Sequence, residues 1–437
     1  MKRVVIVGAG ARGNRVFADL ISRYPIGFEL AGVVEIDRDR RLAFQRQYAI
    51  PDRHAYASSD AFLSAERFAD ITFICTPDPT HFQLAKAASE KGYDVLLEKP
   101  IATNLPDCLA LLDVQATHGN EIVVAHVLRY SPFFRKLKEI VASGRLGAVR
   151  HIDLAENIAH WHFAHSYVRG NWRRADTSAP IILTKSSHDL DILQWLMEEP
   201  VASVASYGSL SYFTAEHAPE GATERCVDCP HRDDCLYSAT KFYLNERDDW
   251  PFNVVSPLEN TIEARRRAIA EGPYGRCVYL NDNDVCDNQV VVLEFESGAV
   301  ATFGLHAHTW DNTRKITILM DRGEIAGDLH RNEIYVSHFT GTPDEVRREH
   351  YNPSPQVEQQ DYHGGGDVEL LYALHDHLTG GDRDDIISSL SSSLASHALA
   401  FLAEQSRLAG SKTVPVPAIF SRGHGARRPD ARPDPAA

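Results

Sequence analysis

Val4-Val5-Ile6-Val7 runs directly into Gly8-Ala9-Gly10-Ala11-Arg12-Gly13, and the architecture is read outward from that junction. An unbroken apolar run of β-branched residues is the mark of a parallel strand covered on both faces. Gly8 permits a tight turn, Gly10 lets backbone approach a pyrophosphate, and Gly13 lets the next helix pack closely on the strand. N–H groups at the start of that helix then face phosphates. Val16, Phe17, Leu20 and Ile21 continue at helical spacing, which is the context the glycine motif requires. A second apolar run, Phe28 to Val34, ends in Glu35. That is about 20 residues past the glycines, where a dinucleotide fold places its ribose-binding carboxylate. The ligand expected here is a nicotinamide dinucleotide.

A chain of 437 residues is long for one core, so two domains are expected. Its net charge of −15 argues against nucleic acid or an anionic membrane as partner. No apolar stretch approaches the roughly 20 residues that span a bilayer. A strand that begins at once leaves no room for a signal peptide, and seven cysteines is an odd number for a disulfide framework. Together these point to a cytoplasmic protein.

Three further buried strands are expected, at Ile71–Cys75, Asp94–Leu97 and Glu121–Ala125. Polar residues gather just past them, in Thr76-Pro77-Asp78-Pro79-Thr80-His81, in Glu98-Lys99-Pro100, and in His126 to Tyr130. In an open parallel sheet that edge is where ligands bind. Asp78 reads as a turn former, whereas Lys99, directly after a buried strand, does not read as a surface lysine.

These motifs in this order resemble the Gfo/Idh/MocA oxidoreductase family, fully in the first domain and weakly through most of the second. The resemblance implies an α/β protein with a Rossmann domain (1–128) and a second α/β domain (129–420) built on a large open, mainly antiparallel sheet. It implies a dinucleotide held by Gly8, Gly10, Ala11, Arg12, Gly13 and Glu35, bordered by Thr76, Pro77, His81, Glu98 and Lys99. Glu35 favours NAD, since a 2′-phosphate would be repelled there, and Arg38 and Arg40 keep NADP as the alternative. Lys99 is expected beside both nicotinamide and substrate, usually a sugar or cyclitol. A homodimer or homotetramer is also implied.

Past Arg129 and Tyr130, both taken as substrate contacts, the segment from His160 to Arg173 is dense in aromatic and basic residues. His160, Trp161, His165, Arg169, Asn171 and Trp172 form an expected carbohydrate wall, rings stacking on C–H faces while polar groups reach hydroxyls. Ile181 to Asp191 then leads into a helix marked by Leu190, Leu193, Leu196 and Met197, with serines as capping candidates. His188 is the expected acid/base for an alcohol. The family usually carries an aspartate four residues before this histidine, followed by glycine. Thr184 and Lys185 stand there instead. Lys185 is therefore expected to join Lys99 in activating the reacting hydroxyl.

Cys226, Cys229 and Cys235 lie in an insertion of about residues 214–285 rich in charge and proline. With Cys277 as fourth ligand they would form a structural zinc site remote from hydride transfer. His231 and Cys286 compete for the fourth position, an iron–sulfur cluster is the alternative occupant, and Cys75 and Cys108 read as core residues. His363, before the glycines 364–366, is a further substrate candidate, and His306 and His308 either reach the pocket or line the sheet. A helix near 388–408 is expected to pack back on the first domain, and the tail 421–437 to be disordered.

The sequence thus reads as an NAD-dependent oxidoreductase of a sugar, sugar acid or cyclitol. A redox-assisted NAD-dependent glycosidase is the first alternative and a non-catalytic dinucleotide sensor the second.

Overall fold

The computed structural model describes residues 1–342, 345–353, 362–381 and 388–421. The expected tail beyond Ser421 lies outside the described residues.

Six parallel strands form the first sheet: β1 (Lys2–Val7), β2 (Phe28–Val34), β3 (Ala55–Tyr56), β4 (Ile71–Ile74), β5 (Asp94–Leu97) and β6 (Ile122–Val124). Their order is β3-β2-β1-β4-β5-β6. Val5 and Val7 enter one hydrophobic core and Val4 and Ile6 the other. Both faces of β1 are therefore covered, which is why its sequence shows no alternation. The short β3 was not visible in the sequence, because two residues carry no period. Strand order reverses between β2-β1 and β1-β4, so the crevice past their carboxyl ends lies at a topological switch point.

The second sheet has nine strands: β7 (Val149–Ala159), β8 (Val201–Ser209), β9 (Asn288–Phe295), β10 (Val300–Thr309), β11 (Thr313–Met320), β12 (Gly323–Asp328), β13 (Glu333–Phe339), β14 (Val346–Tyr351) and β15 (Val414–Pro415). The order is β14-β13-β12-β11-β7-β10-β9-β8-β15. β7 and β10 run parallel, and the remaining neighbours are antiparallel. Alternation along β9 buries Val291, Leu293 and Phe295 while Val290 is exposed, as one solvated face requires.

Helix Ser187–Met197 lies between this sheet and its neighbours. The sequence marks one apolar stripe, yet all eleven residues are buried. It packs on β7, on helix Pro132–Ala142 and on helix Leu390–Leu408, so no face is left to solvent. Helix Leu390–Leu408 also touches β6 and helix Leu105–His118 of the first domain. Between β8 and β9 the insertion adds two helices, Ala239–Tyr243 and Ile262–Glu271, an isolated bridge, Arg225 to Arg276, and its own small core of Cys226, Ala239, Tyr243, Phe252, Val255 and Ile269.

Candidate active site

The glycine turn is shaped around empty space. At Gly8, with φ +93°, an added β-carbon would stand 2.8 Å from the Cys75 carbonyl oxygen, and at Gly13 it would stand 2.0 Å from that of Gly8. These two are demanded by protein packing. At Gly10 a β-carbon would meet nothing within 4 Å among the described residues. That glycine borders a cradle a dinucleotide pyrophosphate would fill. Ala9 N–H donates to Glu35 Oε2 at 2.9 Å and Asp37 N–H to Oε1 at 2.9 Å. Arg40 lies 3.1 Å from the same Oε1. Glu35 is thus fixed at the end of β2, 5% exposed.

Other residues of this edge are engaged by protein partners. Arg12 binds Glu98 Oε1 at 2.5 Å and Asp367 Oδ1 at 2.7 Å. Both ring nitrogens of His81 face carbonyl oxygens, of Pro100 at 2.6 Å and Thr76 at 2.9 Å, so His81 braces the loop carrying Thr76 and Pro77. Asp78 exceeds a turn former. Its Oδ2 accepts from Trp172 Nε1 at 3.2 Å and from Ser178 Oγ at 2.7 Å, joining the two domains across the cleft.

Lys99, at the end of β5, donates from Nζ to the Thr184 carbonyl oxygen at 2.5 Å. Burial pushes its ammonium down to about 8, helped by the positive charge of Lys185 and opposed by Glu98. Lys185 Nζ sits 2.8 Å from Glu156 Oε1 on β7. Arg314 Nε on β11 lies 2.9 Å from Glu156 Oε2 and 2.7 Å from Asp189 Oδ1. Lys185 is therefore ion-paired with a carboxylate 29 positions earlier in the chain, and the segment 184–189 rests on a buried, alternating charge network. None of Glu156, Asp189 and Arg314 is singled out by the sequence.

His188 is 4% exposed, and its Nδ1 has no hydrogen-bond partner among the described residues. Burial, then Lys99, drives its imidazole well below the ordinary histidine value. The rings of His126 and His363 both lie 5.7 Å from it, centroid to centroid. His126 Nδ1 is 2.7 Å from Asp191 Oδ1, and His363 Nδ1 is 2.8 Å from Asp367 Oδ2.

The expected carbohydrate wall divides. Trp172 and Asn171 are exposed, and His160 and Trp161 are half-buried. Trp161 lies 5.7 Å from both Trp250 and Phe242 of the insertion. His165 turns inward, its Nδ1 2.8 Å from the Tyr243 hydroxyl and its ring stacked on Tyr274. Arg169, 2% exposed, donates to the carbonyl oxygens of Arg276 and Tyr237. Arg129 and Tyr130 are fully buried, the first forked onto Asp191 and the second hydrogen-bonded to Ser388. His165 and Arg169 thus back the wall against the insertion, whereas Arg129 and Tyr130 are engaged by Asp191 and Ser388.

Cys226, Cys229, Cys235 and Cys277 line one small cavity, together with His231 and Arg169. Among the described residues, however, no group of three or more His, Cys, Asp or Glu is set to hold a metal ion, so the expected zinc or iron–sulfur centre is not supported. Arg169 Nη2 occupies the side of Cys226 Sγ at 3.5 Å, and the insertion has an apolar core of its own. Nor is the insertion remote from the cleft. Besides its rings on the wall, its Asn253 carbonyl oxygen accepts from Arg15 of the glycine-turn helix at 2.8 Å.

Residues 2–126 match the oxidoreductase family with an NAD-binding Rossmann fold, and residues 138–416 match its C-terminal α/β domain. The chain belongs to the Gfo/Idh/MocA oxidoreductase family. It is therefore an NAD(P)-dependent oxidoreductase. Its Gfo/Idh/MocA relatives include the putative oxidoreductase YteT of Bacillus subtilis, 26% identical over 390 residues, 86% of this chain and 88% of that one. Inositol 2-dehydrogenase 3 of Saccharopolyspora erythraea is 28% identical over 202 residues, 46% of this chain and 55% of its own length. The fold matches levoglucosan dehydrogenase, solved with NADH and L-sorbose, at a TM-score of 0.68 and 16% identity over 96% of this chain and all of the other. Among the described residues no helix is long and apolar enough to cross a membrane.

Proposed function

We propose that this protein transfers a hydride between NAD and a secondary alcohol of a sugar, sugar acid or cyclitol. The observation that carries the reading is the half-buried Lys99 ammonium, held on the Thr184 carbonyl near His188, whose Nδ1 has no partner among the described residues. A bound nicotinamide supplies the hydride acceptor. Oxidation then releases one hydride from the carbinol carbon and one proton from its hydroxyl. Lys99 donates a hydrogen bond to the reacting oxygen and stabilises its developing negative charge. His188 takes the hydroxyl proton, for which its unpartnered nitrogen is available. Lys185, tied to Glu156, raises the local positive potential and keeps Lys99 poised near neutrality. Trp161, Trp172 and Trp250 offer ring faces to a ring C–H surface.

Glu35 supports NAD over NADP. Its oxygens already take two backbone N–H groups, and a 2′-phosphate would meet a fixed negative charge, since Arg40 is spent on Glu35 itself. The relatives named inositol 2-dehydrogenase support a polyol substrate. The test mixes purified full-length protein with NAD⁺ or NADP⁺ and a panel of inositols, free sugars and sugar acids, reading absorbance of the reduced nicotinamide. Reduction with at least one polyol, faster with NAD⁺ and lost in Lys99→Met, is expected. Silence across the panel, or turnover that survives Lys99→Met, overturns the reading.

A further inference from the structure

The site has an imidazole where the proton arrives but no carboxylate beside it. The Thr184 hydroxyl Oγ1 is buried without a hydrogen-bond partner among the described residues. Asp189 and Glu156 are near, but Arg314 and Lys185 hold both. Asp191 is bound by Arg129 and His126. His397 closes the far side of His126 and ends the path there. Its Nε2 accepts from the Ile101 N–H at 3.0 Å, and its Nδ1 faces the Ser393 carbonyl oxygen at 2.8 Å.

A carboxylate–imidazole pair stands beside His188. His363 Nδ1 lies 2.8 Å from Asp367 Oδ2. The His363 side chain keeps 29% of its surface exposed, while Asp367 keeps 2%. Its ring centre is 5.7 Å from that of His188, within reach of a direct or one-water proton hop. His363 has φ +55°, followed by Gly364 at +63° and Gly365 at +84°. A histidine is thus held in left-handed backbone that glycine adopts more easily, which turns its ring over the end of helix Gly366–Leu378. Asp367 is oriented in turn by Arg12, whose Nε grips Glu98, the neighbour of Lys99.

We infer that His363 and Asp367 act as a carboxylate–imidazole pair beside His188, and that His363 relays the substrate proton between His188 and solvent. The inference rests on the oxidoreductase reading above. On alcohol oxidation the hydroxyl proton passes to His188. His188 passes one proton to His363, which becomes imidazolium against Asp367 and releases a proton to solvent. Reduction of the ketone runs the same transfers backwards. No proton is gained or lost within the protein over a cycle, and the hydride leaves with the dinucleotide.

The charges around the pair give it direction. His188 faces Lys99, His363, His126 and Arg314, every one of which disfavours a second positive charge, so it does not retain the proton. His363 faces Arg12 and Arg314, which oppose its charging along with burial, but Asp367 favours it. Arg12 and His363 outweigh burial to hold the Asp367 carboxyl down at about 2, so it is an anion throughout the working range.

The experiment combines kinetics with a readout that needs no substrate. In full-length protein with imidazole-¹⁵N histidine and saturating NAD⁺, the titrations of His188 and His363 are followed by NMR. Coupled titration is expected. His363→Gln should move the His188 midpoint upward, because a facing positive charge is removed, and Asp367→Asn should move the His363 midpoint downward. With the panel polyol that turns over fastest, His363→Ala should lower kcat by about 100-fold or more. Added imidazole should restore part of it, Asp367→Glu should retain more activity than Asp367→Asn, and NAD⁺ affinity in His363→Ala should be unchanged. Independent titration of the two rings, or unchanged kcat in His363→Ala, overturns the inference. So does loss in Asp367→Asn that appears only as weaker NAD⁺ binding, which would make the carboxylate a brace for Arg12. Coupled titration without turnover of any polyol would instead count against the oxidoreductase substrate reading.

Discussion

Lys99 Nζ donates to the main-chain carbonyl of Thr184 at 2.5 Å, so the lysine of the first domain is held by backbone of the second. A backbone acceptor does not depend on which side chain occupies position 184. It also leaves Lys99 as a half-buried ammonium without a directly bonded carboxylate among the described residues, which has measurable consequences.

The first is a trade between stability and activity. Folding brings Lys99 from its ordinary value of 10.5 to about 8. Because the folded value is depressed, the cost of burying its charge is fully present below pH 8 and is relieved as pH rises from about 8 towards 10.5. Lys99→Met is therefore expected to unfold at higher denaturant than wild type at pH 7, by about 1–2 kcal/mol after allowance for partial solvent contact. The gain should shrink at pH 10, and hydride transfer should be abolished.

The second concerns pH and Lys185. If the Lys99 ammonium stabilises the reacting oxygen, ketone reduction falls as pH rises through about 8. Lys185 disfavours charge on Lys99. Lys185→Met removes that repulsion, so the alkaline limb should move to higher pH. A limb that stays put or moves down would separate Lys185 from Lys99.

The glycines predict opposite outcomes. Gly13→Ala puts a β-carbon on the Gly8 carbonyl oxygen at 2.0 Å and should lower the melting temperature and the yield of folded protein. Gly10→Leu enters open space and should leave the melting temperature within a few degrees while raising the NAD⁺ dissociation constant by about tenfold or more. Calorimetry and fluorescence titration read the two effects.

The insertion should be felt in substrate binding. Trp250→Ala removes a ring 5.7 Å from Trp161 and 4.7 Å from His162 on the wall. The expected result is a KM raised about tenfold with kcat little changed, as for loss of binding shared by ground and transition states.

Local patterns carried much of this into view from the sequence. The glycine turn, the unbroken strands and Lys99 at the end of β5 are short-range features, each readable within about ten residues. The partners of the site residues are not. Lys185 meets Glu156, Asp189 meets Arg314, and Arg12 meets Asp367, across separations that only two sheets and a domain junction bring together. Composition likewise marked the segment 160–173 as rich in rings and cations but could not say which side of it faces the cleft. Burial of His165 and Arg169 against the insertion decided that. Four of the cysteines converge on one cavity, yet among the described residues no group of three or more His, Cys, Asp or Glu is set to hold a metal ion.

The most direct measurement follows label. A polyol deuterated at the carbinol carbon is incubated with NAD⁺ and either wild-type protein or Lys99→Met, and the reduced dinucleotide is examined by mass spectrometry. One deuterium per reduced nicotinamide with wild type, and none formed with Lys99→Met, is predicted. Reduced nicotinamide without deuterium, or equal labelling by Lys99→Met, would contradict direct hydride transfer at a site organised around Lys99.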